Sequence, residues 1–304
     1  MFYKPRFEPK ELRMMRHLNT RMKLNEKEVK NYLTMEKGYE DEKKFDEMSI
    51  NISEQCTILN DLLLENSNSV FQIDSLFIYD GTIHIINIKN FEGDYMIDGE
   101  KWFIVANKKE ISNPFLQLNR SESLMRRLLK EIGYNMPIKT HLVFMNPDFI
   151  LYQAPLNSSI IFYSQLNRFL NQFKPGNAHQ HEKHLVLAEK VASLHMKDSP
   201  YSNLPEYNYE QLVKGITCPM CFTFISDVGK EKITCNRCGF QEDFESAILR
   251  SIEEYRLLFP ERRVTTEDIW EWCKVINSRK TIRRILKGNF KRIGHSSSSH
   301  FIDI

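Results

Sequence analysis

The stretch FQIDSLFIYDGTIHIINIK, residues 71–89, contains two apolar runs separated by Asp80-Gly81. Short runs rich in Ile and Phe are typical of β-strands, and Asp-Gly is a favoured two-residue turn between antiparallel strands. The stretch therefore predicts a β-hairpin with strands at residues 71–78 and 82–89. Because side chains alternate between the two faces of a strand, we expect Asn87 and Lys89 to share one face and Ile88 to lie on the other.

Further strand and helix signals lie on both sides of this hairpin. Helical spacing predicts helices within residues 9–48, from Asn113-Pro114 onward, and at 165–173 and 184–195. Apolar runs predict strands at 56–64, 102–105, 141–145 and 160–164. Strands alternating with helices indicate an α/β or α+β core, and residues 200–205 have the composition of a linker.

Length and composition bound the remaining possibilities. At 304 residues with 41% hydrophobic and 27% charged residues, the chain has the composition of a globular protein with two or three domains. The net charge of +2 does not by itself require a nucleic-acid partner. The chain contains no run of about 18 apolar residues and no signal-peptide pattern near Met1, so we expect neither secretion nor membrane spanning. Four of the six cysteines fall in CxxC pairs, which suit metal thiolates better than disulfides and predict a reducing, cytoplasmic compartment.

Two CxxC pairs form the most specific motif in the chain. Cys218-Pro-Met-Cys221 and Cys235-Asn-Arg-Cys238 are separated by thirteen residues. Two such pairs can supply four thiolates to one tetrahedral Zn²⁺, which predicts a zinc ribbon. Four protein ligands leave no open position, so the predicted zinc is structural. A redox dithiol would not need the second pair, and the apolar surroundings of Cys56 and Cys273 predict buried packing residues.

The C-terminal segment is basic and helical. Thr265 or Thr266 is expected to cap one helix, and Asn277-Ser278 to form a turn before the next. Residues 279–292 contain seven Lys or Arg and no Asp or Glu, which favours a helix-turn-helix or winged-helix module that contacts phosphates. The alternative is a solvated face of a small helical domain. The candidate nucleic-acid-binding residues are Arg279, Lys280, Arg283, Arg284, Lys287, Lys291 and Arg292.

Asp74 and Lys89 on the predicted hairpin could take part in phosphodiester hydrolysis. Metal-dependent hydrolysis needs carboxylates that hold the cation and a positive group that offsets developing charge. Taken alone, the pair is equally compatible with two side chains exposed on a strand.

Four motifs together resemble the nuclease-related domain (NERD) family, which is placed within the PD-(D/E)xK nuclease superfamily. They are Gly38-Tyr-Glu-Asp-Glu42, Phe71-Gln-Ile-Asp74, Ile88-Lys-Asn-Phe-Glu-Gly93 and Asn113-Pro-Phe-Leu-Gln117. The resemblance covers residues 37–149, and the later segments resemble extensions seen in bacillus-type members. It implies a restriction-endonuclease-like mixed sheet with flanking helices. It also implies Asp74 as a metal-binding acid, Lys89 as the charge-stabilising lysine, and Glu42 and Gln117 as helix-borne groups near the site.

The sequence departs from the family pattern at Asn87, where the family motif resembles Glu-x-Lys. An amide lacks the full negative charge of a carboxylate, so affinity for a catalytic Mg²⁺ or Mn²⁺ should fall, with a rate loss of about a hundredfold or more. Glu92 and Asp94 follow closely and could in principle supply the missing carboxylate. His84 is expected to be a packed or exposed residue on the opposite face.

These observations predict four segments: an N-terminal helical segment at 1–36, a nuclease-related α/β domain at 37–200, a zinc ribbon at 201–243, and a basic helical domain at 244–304. Three functions remain open. The chain could be a metal-dependent DNA endonuclease with weakened activity, a catalytically inactive DNA-binding protein on a nuclease fold, or a zinc-stabilised interaction scaffold. The expected partner is nucleic acid, with DNA favoured over RNA.

Overall fold

A computed structural model describes residues 2–304 except 157–158, 175–181, 202, 230–231, 277 and 296–298. The chain divides into two compact units. The first unit comprises Met1–Glu8 and Thr34–Tyr201, and the second comprises Pro9–Leu33 and Ser202–Ile304. None of the helices in these described stretches has the length and apolar character required to cross a membrane.

The helix-forming segment near the N-terminus contains two helices, α1 (Lys10–Arg21) and α2 (Glu26–Ser49). The second helix begins with a reciprocal pair of caps. The Glu28 N–H donates to Asn25 Oδ1 at 2.9 Å, and the Asn25 N–H donates to Glu28 Oε2 at 2.8 Å. Because Asn25 satisfies the first donors of a new helix, the predicted helical region is interrupted there.

The first unit contains a five-stranded sheet in the order β1-β2-β3-β7-β9 and a four-stranded sheet in the order β6-β5-β4-β8. In chain order its elements are β1 (Thr57–Asn66), β2 (Ser69–Tyr79), β3 (Thr82–Lys89), β4 (Gly93–Asp98), β5 (Lys101–Ile104), β6 (Lys109–Ile111), α3 (Pro114–Glu131), β7 (Ile138–Phe144), β8 (Phe149–Tyr152), β9 (Ile160–Ile161), α4 (Leu166–Asn171) and α5 (Glu182–Ser193).

The predicted hairpin is confirmed. Strands β2 and β3 pair antiparallel, with Tyr79 opposite Thr82. Asp80 and Gly81 between them have φ angles of 45° and 68°. Positive φ at both central residues is the conformation that fits the natural twist of a two-residue hairpin. The turn therefore fixes the register that brings β2 and β3 together at the candidate site.

Strand β3 also separates the antiparallel part of the five-stranded sheet from its parallel part. It pairs antiparallel with β2 and parallel with β7, and α3 lies in the connection between β3 and β7. The predicted start of α3 is confirmed, since the side chain of Asn113 accepts from the Phe115 N–H at 2.9 Å and Pro114 is the first helical residue. The first unit is a mixed α/β fold.

Both faces of the five-stranded sheet are buried. One face packs with apolar residues of α3 and α5, and the other with Phe45 of α2 and with α4. The predicted strand at residues 160–164 is shorter than expected. It ends at Ile161 because residues 163–165 form a 3₁₀ turn, in which Gln165 Oε1 accepts from the Phe162 N–H at 3.2 Å.

Among its described residues, the second unit contains α1, the first residues of α2, three small strands, three further α-helices and a two-stranded hairpin. Its later elements are β10 (Asp227–Val228), β11 (Lys232–Thr234), β12 (Gln241–Asp243), α6 (Phe244–Leu258), α7 (Thr266–Cys273), α8 (Arg279–Asn289), β13 (Lys291–Ile293) and β14 (His300–Ile302). Of the two predicted caps of α7, Thr265 is the one observed, with its hydroxyl accepting from the Asp268 N–H at 3.1 Å. Asn277, predicted to form a turn with Ser278, lies outside the described residues.

A buried ion pair lies in the core of the second unit. Arg21 donates through Nε and Nη2 to the two carboxylate oxygens of Glu254 at 2.6 and 2.9 Å. Its guanidinium also lies over the Trp272 ring, 4.0 Å from the ring centroid. Burial alone would raise the pKa of Glu254, but hydrogen bonds from His17 and Arg21 outweigh it and lower that pKa to about 2. Glu254 is therefore a fully satisfied carboxylate.

Candidate functional site

Asp74 is a buried carboxylate on β2 that faces the end of β3. Its Oδ2 accepts a hydrogen bond from the Ile88 N–H at 2.7 Å and another from Asn87 Nδ2 at 3.0 Å. Burial raises the pKa of Asp74, whereas the charge of Lys89 and the Ile88 N–H act in the opposite direction. The predicted neighbours Asp74, Asn87 and Lys89 are therefore brought together by the hairpin.

Lys89 lies where β3 ends, and its side chain reaches α3. Its Nζ donates to Gln117 Oε1 at 2.8 Å, and this contact is exposed. Gln117 is in the first turn of α3, which is positioned by the Asn113 cap. A lysine at the end of a strand and an amide on the adjacent helix, both accessible to solvent, can donate hydrogen bonds to a phosphate oxygen.

Glu42 lies on α2 and forms an ion pair with Arg6. Arg6 Nη1 donates to Glu42 Oε2 at 2.7 Å, and the arginine side chain is 2% exposed. Burial and the nearby charge of Asp74 outweigh the attraction of Arg6 and raise the pKa of Glu42 to about 8. Glu42 is near Asp74, as the family resemblance implies, but its carboxylate is engaged by an arginine.

Sequence reasoning missed Arg6, although this residue organises the acidic side of the site. Its Nε donates to Asp46 Oδ2 at 2.9 Å, and its Nη2 donates to the backbone oxygen of Asp74 at 2.7 Å. The segment before α1 is fixed along β1, where the Tyr3 N–H donates to the Ile58 oxygen. The available signal was the spacing of Glu42 and Asp46, which places two acids on one face of α2 and calls for a cation.

The residues around Asp74 do not fit a bound Mg²⁺ or Mn²⁺, which needs several oxygen ligands around one point. Asn87 presents an N–H group to Asp74, and Glu42 is bound to Arg6. Within the described residues, the four cysteines are the only group of at least three Cys, His, Asp or Glu side chains placed to hold one ion. Among the described residues, Asn87 Oδ1 is buried and has no hydrogen-bond partner.

Three other side chains, Glu92, Asp94 and His84, lie on β3 or shortly after it, and Asp94 is exposed on β4. The carboxylate of Glu92 is exposed to solvent and forms an ion pair with Lys37, at a distance of 3.3 Å. Of the two alternatives predicted for His84, packed or exposed, the structure has the packed one. The side chain is buried, and its Nδ1 lies 3.0 Å from His141 Nε2. Burial lowers the pKa of His84 to about 4.

The four cysteines of the CxxC pairs meet at one point in the second unit, where their sulfur atoms all lie within 4.8 Å of one another. The Cys218–Cys238 and Cys221–Cys235 sulfur distances are 3.6 and 3.5 Å. Four sulfurs bound to one Zn²⁺ at about 2.3 Å are roughly 3.8 Å apart, so the residues fit a tetrahedral metal such as zinc.

The two loops that carry these cysteines have the same backbone hydrogen bonds. The Phe222 N–H donates to the Cys218 oxygen and the Gly239 N–H to the Cys235 oxygen, both at 2.9 Å. Phe222 and Gly239 have φ angles of 56° and 74°. Gly239 adopts this positive φ without a side chain that would oppose it, and the first loop adopts it with a phenylalanine. Such matched loops, next to the β10-β11-β12 sheet, are compatible with a zinc ribbon.

Cys56 and Cys273 are buried, as predicted from their apolar surroundings. Burial raises the pKa of both thiols, that of Cys273 to about 12. Neither cysteine is part of the metal-binding group.

The predicted basic residues lie on α8 and β13. Arg279 is engaged locally, with Nη2 2.7 Å from Glu267 Oε1 and its guanidinium 4.1 Å from the Trp270 ring centroid. The other six are exposed and have no ion pair in the described part of the chain: Lys280, Arg283, Arg284, Lys287, Lys291 and Arg292.

Comparison with known families identifies the domain that carries Asp74 and Lys89. Residues 37–145 match the model of the nuclease-related domain family. No curated protein and no solved structure matches the chain. The chain therefore carries a nuclease-related domain, and the predicted resemblance to this family is confirmed over residues 37–145. The matched residues include Glu42, Asp74, Asn87, Lys89 and Gln117.

Proposed function

We propose that this chain, with its nuclease-related domain at residues 37–145, is a nucleic-acid-binding protein whose site no longer supports efficient phosphodiester cleavage. The hydrogen bond from Asn87 Nδ2 to Asp74 Oδ2 carries the proposal. In this bond, Asn87 presents a neutral donor to Asp74 at the position where the family pattern has a second carboxylate. A cation held by two carboxylates would stabilise the transition state by several kcal/mol, and that contribution is lost here.

Arg6 supports the same proposal. Its guanidinium donates to Glu42, to Asp46 and to the Asp74 backbone oxygen. A fixed arginine offsets part of the acids' charge from within the protein, and it offers no exchangeable coordination position. Part of the counter-charge that a metal would supply is therefore supplied by Arg6.

Lys89 and Gln117 give the site a remaining role in binding. Their 2.8 Å hydrogen bond is exposed at the end of β3, where a phosphate oxygen can accept from Lys89 Nζ in place of Gln117 Oε1. Phosphate contacts of this kind position a nucleic acid without reading its sequence.

The experiment uses the purified full chain with labelled single-stranded and duplex DNA and RNA, with Mg²⁺ or Mn²⁺ and with a chelator. We expect retention of nucleic acid without metal-dependent cutting. Cutting by the unmodified chain that is abolished by Asp74→Ala would overturn the proposal and establish the weak endonuclease. Failure to retain any nucleic acid would favour the interaction scaffold.

Asn87→Glu tests the reason given for lost cleavage, with Asn87→Gln as its matched control. Glutamate and glutamine have the same length and shape, so only the charge differs between the two variants. We expect Asn87→Glu to gain metal-dependent cleavage by about a hundredfold over Asn87→Gln. Equal activity of the two variants would contradict the role assigned to position 87.

A further inference from the structure

The last part of the second unit has the element order of a winged helix. Helices α6, α7 and α8 precede the β13–β14 hairpin, and Val264 lies between α6 and α7. Val264 forms a bridge to Phe301 of β14, whose N–H donates to the Val264 oxygen at 2.8 Å. Two helices joined by a short connection and followed by a small sheet are the frame in which the later helix is presented to DNA.

Helix α8 has one apolar face and one basic face. Ile282, Ile285 and Leu286 are at most 1% exposed and lie in the same core as Trp272 of α7. The opposite face carries four exposed basic residues within two turns, Lys280, Arg283, Arg284 and Lys287. The packing of α7 therefore fixes which side of α8 faces solvent.

The charge on this face is not neutralised by the protein. Residues 279–292 contain no acidic side chain. In the described part of the chain, none of the four residues forms an ion pair, whereas their neighbour Arg279 is paired with Glu267. Exposed unpaired cations on a rigid helix are complementary to the closely spaced phosphates of a nucleic acid.

We infer that the basic face of α8, defined by Lys280, Arg283, Arg284 and Lys287, binds duplex DNA in the major groove. The major groove of B-DNA, about 12 Å wide, admits an α-helix, whereas the deep, narrow major groove of duplex RNA does not. Single-strand binding relies on exposed aromatic side chains that stack on bases, and this face has none. The inference names a partner for the binding proposed above and rests on that proposal.

The test measures the affinity of the full chain for a mixed-sequence DNA duplex of about 30 base pairs, roughly three helical turns. Duplex RNA and single-stranded DNA of the same length serve as competitors. Lys280→Gln/Lys287→Gln and Arg283→Gln/Arg284→Gln each remove two charges from the basic face. Lys23→Gln/Lys27→Gln is the matched control, because Lys23 and Lys27 are exposed lysines of the same unit.

We expect each basic-face variant to lower the slope of log affinity against log salt by about 2. Its loss of affinity should then be about tenfold larger at 50 mM salt than at 200 mM. The matched control should bind as the unmodified chain does, and duplex DNA should be preferred to both competitors. Thermal unfolding of each variant checks that the fold is retained, and the four single substitutions replace any double variant that unfolds early.

Unchanged affinity and salt slope in the basic-face variants would overturn the inference, as would preference for duplex RNA or for single strands, or no binding to duplex DNA. The cleavage assay separates this outcome from the proposed function. If Asn87→Glu gains cleavage while the basic-face variants bind normally, only the α8 inference fails. If the unmodified chain cuts DNA through Asp74 while these variants lose affinity, only the proposed loss of cleavage fails.

Discussion

Two arginine–glutamate pairs in this chain, one buried and one half-buried, differ in their balance of charge. In the second unit, Arg21 and His17 both contact the carboxylate of Glu254, and the pKa of Glu254 is lowered to about 2. In the first unit, Arg6 is shared between Glu42 and Asp46, and the pKa of Glu42 is raised to about 8. The same residue types at similar distances thus stabilise opposite protonation states.

The difference is caused by the neighbouring groups. Glu254 receives several donors, so its negative charge is overcompensated despite burial. Glu42 lies near Asp74 and Asp46, and one arginine cannot compensate all three carboxylates. A pair with several donors keeps its carboxylate charged, whereas a crowded group of acids makes one of its members hold a proton.

The largest expected effect is that of Glu254→Gln on stability. Removing one charge of a buried pair leaves Arg21 uncompensated, so the free energy of unfolding of the second unit should fall by about 3–5 kcal/mol. Urea unfolding, with hydrogen exchange of the α6 amides, measures it. Glu253→Gln is the matched control, since Glu253 is exposed and adjacent, and should change stability by about 0.5 kcal/mol or less. Equal effects of the two variants would show that the pair contributes nothing.

The pH-dependent contribution of Glu254 to stability should be slightly smaller than the effect of replacing the residue. The folded-state pKa of Glu254, about 2, lies below the ordinary value of 4.5. Its contribution is therefore present above about pH 4.5 and is lost as the pH falls towards 2, amounting to about 3 kcal/mol. The stability difference between the unmodified chain and Glu254→Gln should narrow over that range. A constant difference from pH 6 to pH 2 would contradict the lowered pKa.

Arg6→Met tests the other pair of the comparison, the one in the first unit. The acids around Glu42 would lose their counter-charge, but Glu42, whose pKa is about 8, is already protonated at pH 7, so we expect a loss of about 2–3 kcal/mol, below the range for a fully buried pair that loses one partner. Added Mg²⁺ should then raise the melting temperature of the variant more than that of the unmodified chain. Lys44→Met, which removes an exposed cation on α2, is the control. No difference in the response to Mg²⁺ would argue against Arg6 acting as an internal cation.

The smallest effect is expected for Glu42→Gln. Because folding raises the pKa of Glu42, its stabilising contribution is present below about pH 4.5 and is lost as the pH rises through about 8. The amide resembles the protonated acid, so stability at pH 7 should change by about 1 kcal/mol or less. The pH dependence between 5 and 9 should also flatten. Exposed Glu47→Gln is the control, and a loss as large as that of Glu254→Gln would break the comparison.

Features formed within a few residues could be predicted from the sequence. Asp80-Gly81 predicts the turn, Asn113-Pro114 predicts the start of α3, and the CxxC spacing predicts two loops that can hold one metal. The hairpin alone brings Asp74 to Asn87, because both residues lie on its paired strands. Each prediction depends on local backbone geometry, which the residue types and their spacing largely determine.

The tertiary structure decided which charged side chains contact one another. Arg6 and Glu42 are 36 residues apart, and Arg21 and Glu254 are 233 apart. The spacing of Glu42 and Asp46 calls for a cation but does not say which one, and the pairing of Arg21 with Glu254 has no local signal. The sequence alone determined the hairpin, the metal-binding loops and the basic face of α8. Folding alone decided which arginine compensates which acid, because burial and the charges gathered around a carboxylate depend on segments far apart in the chain.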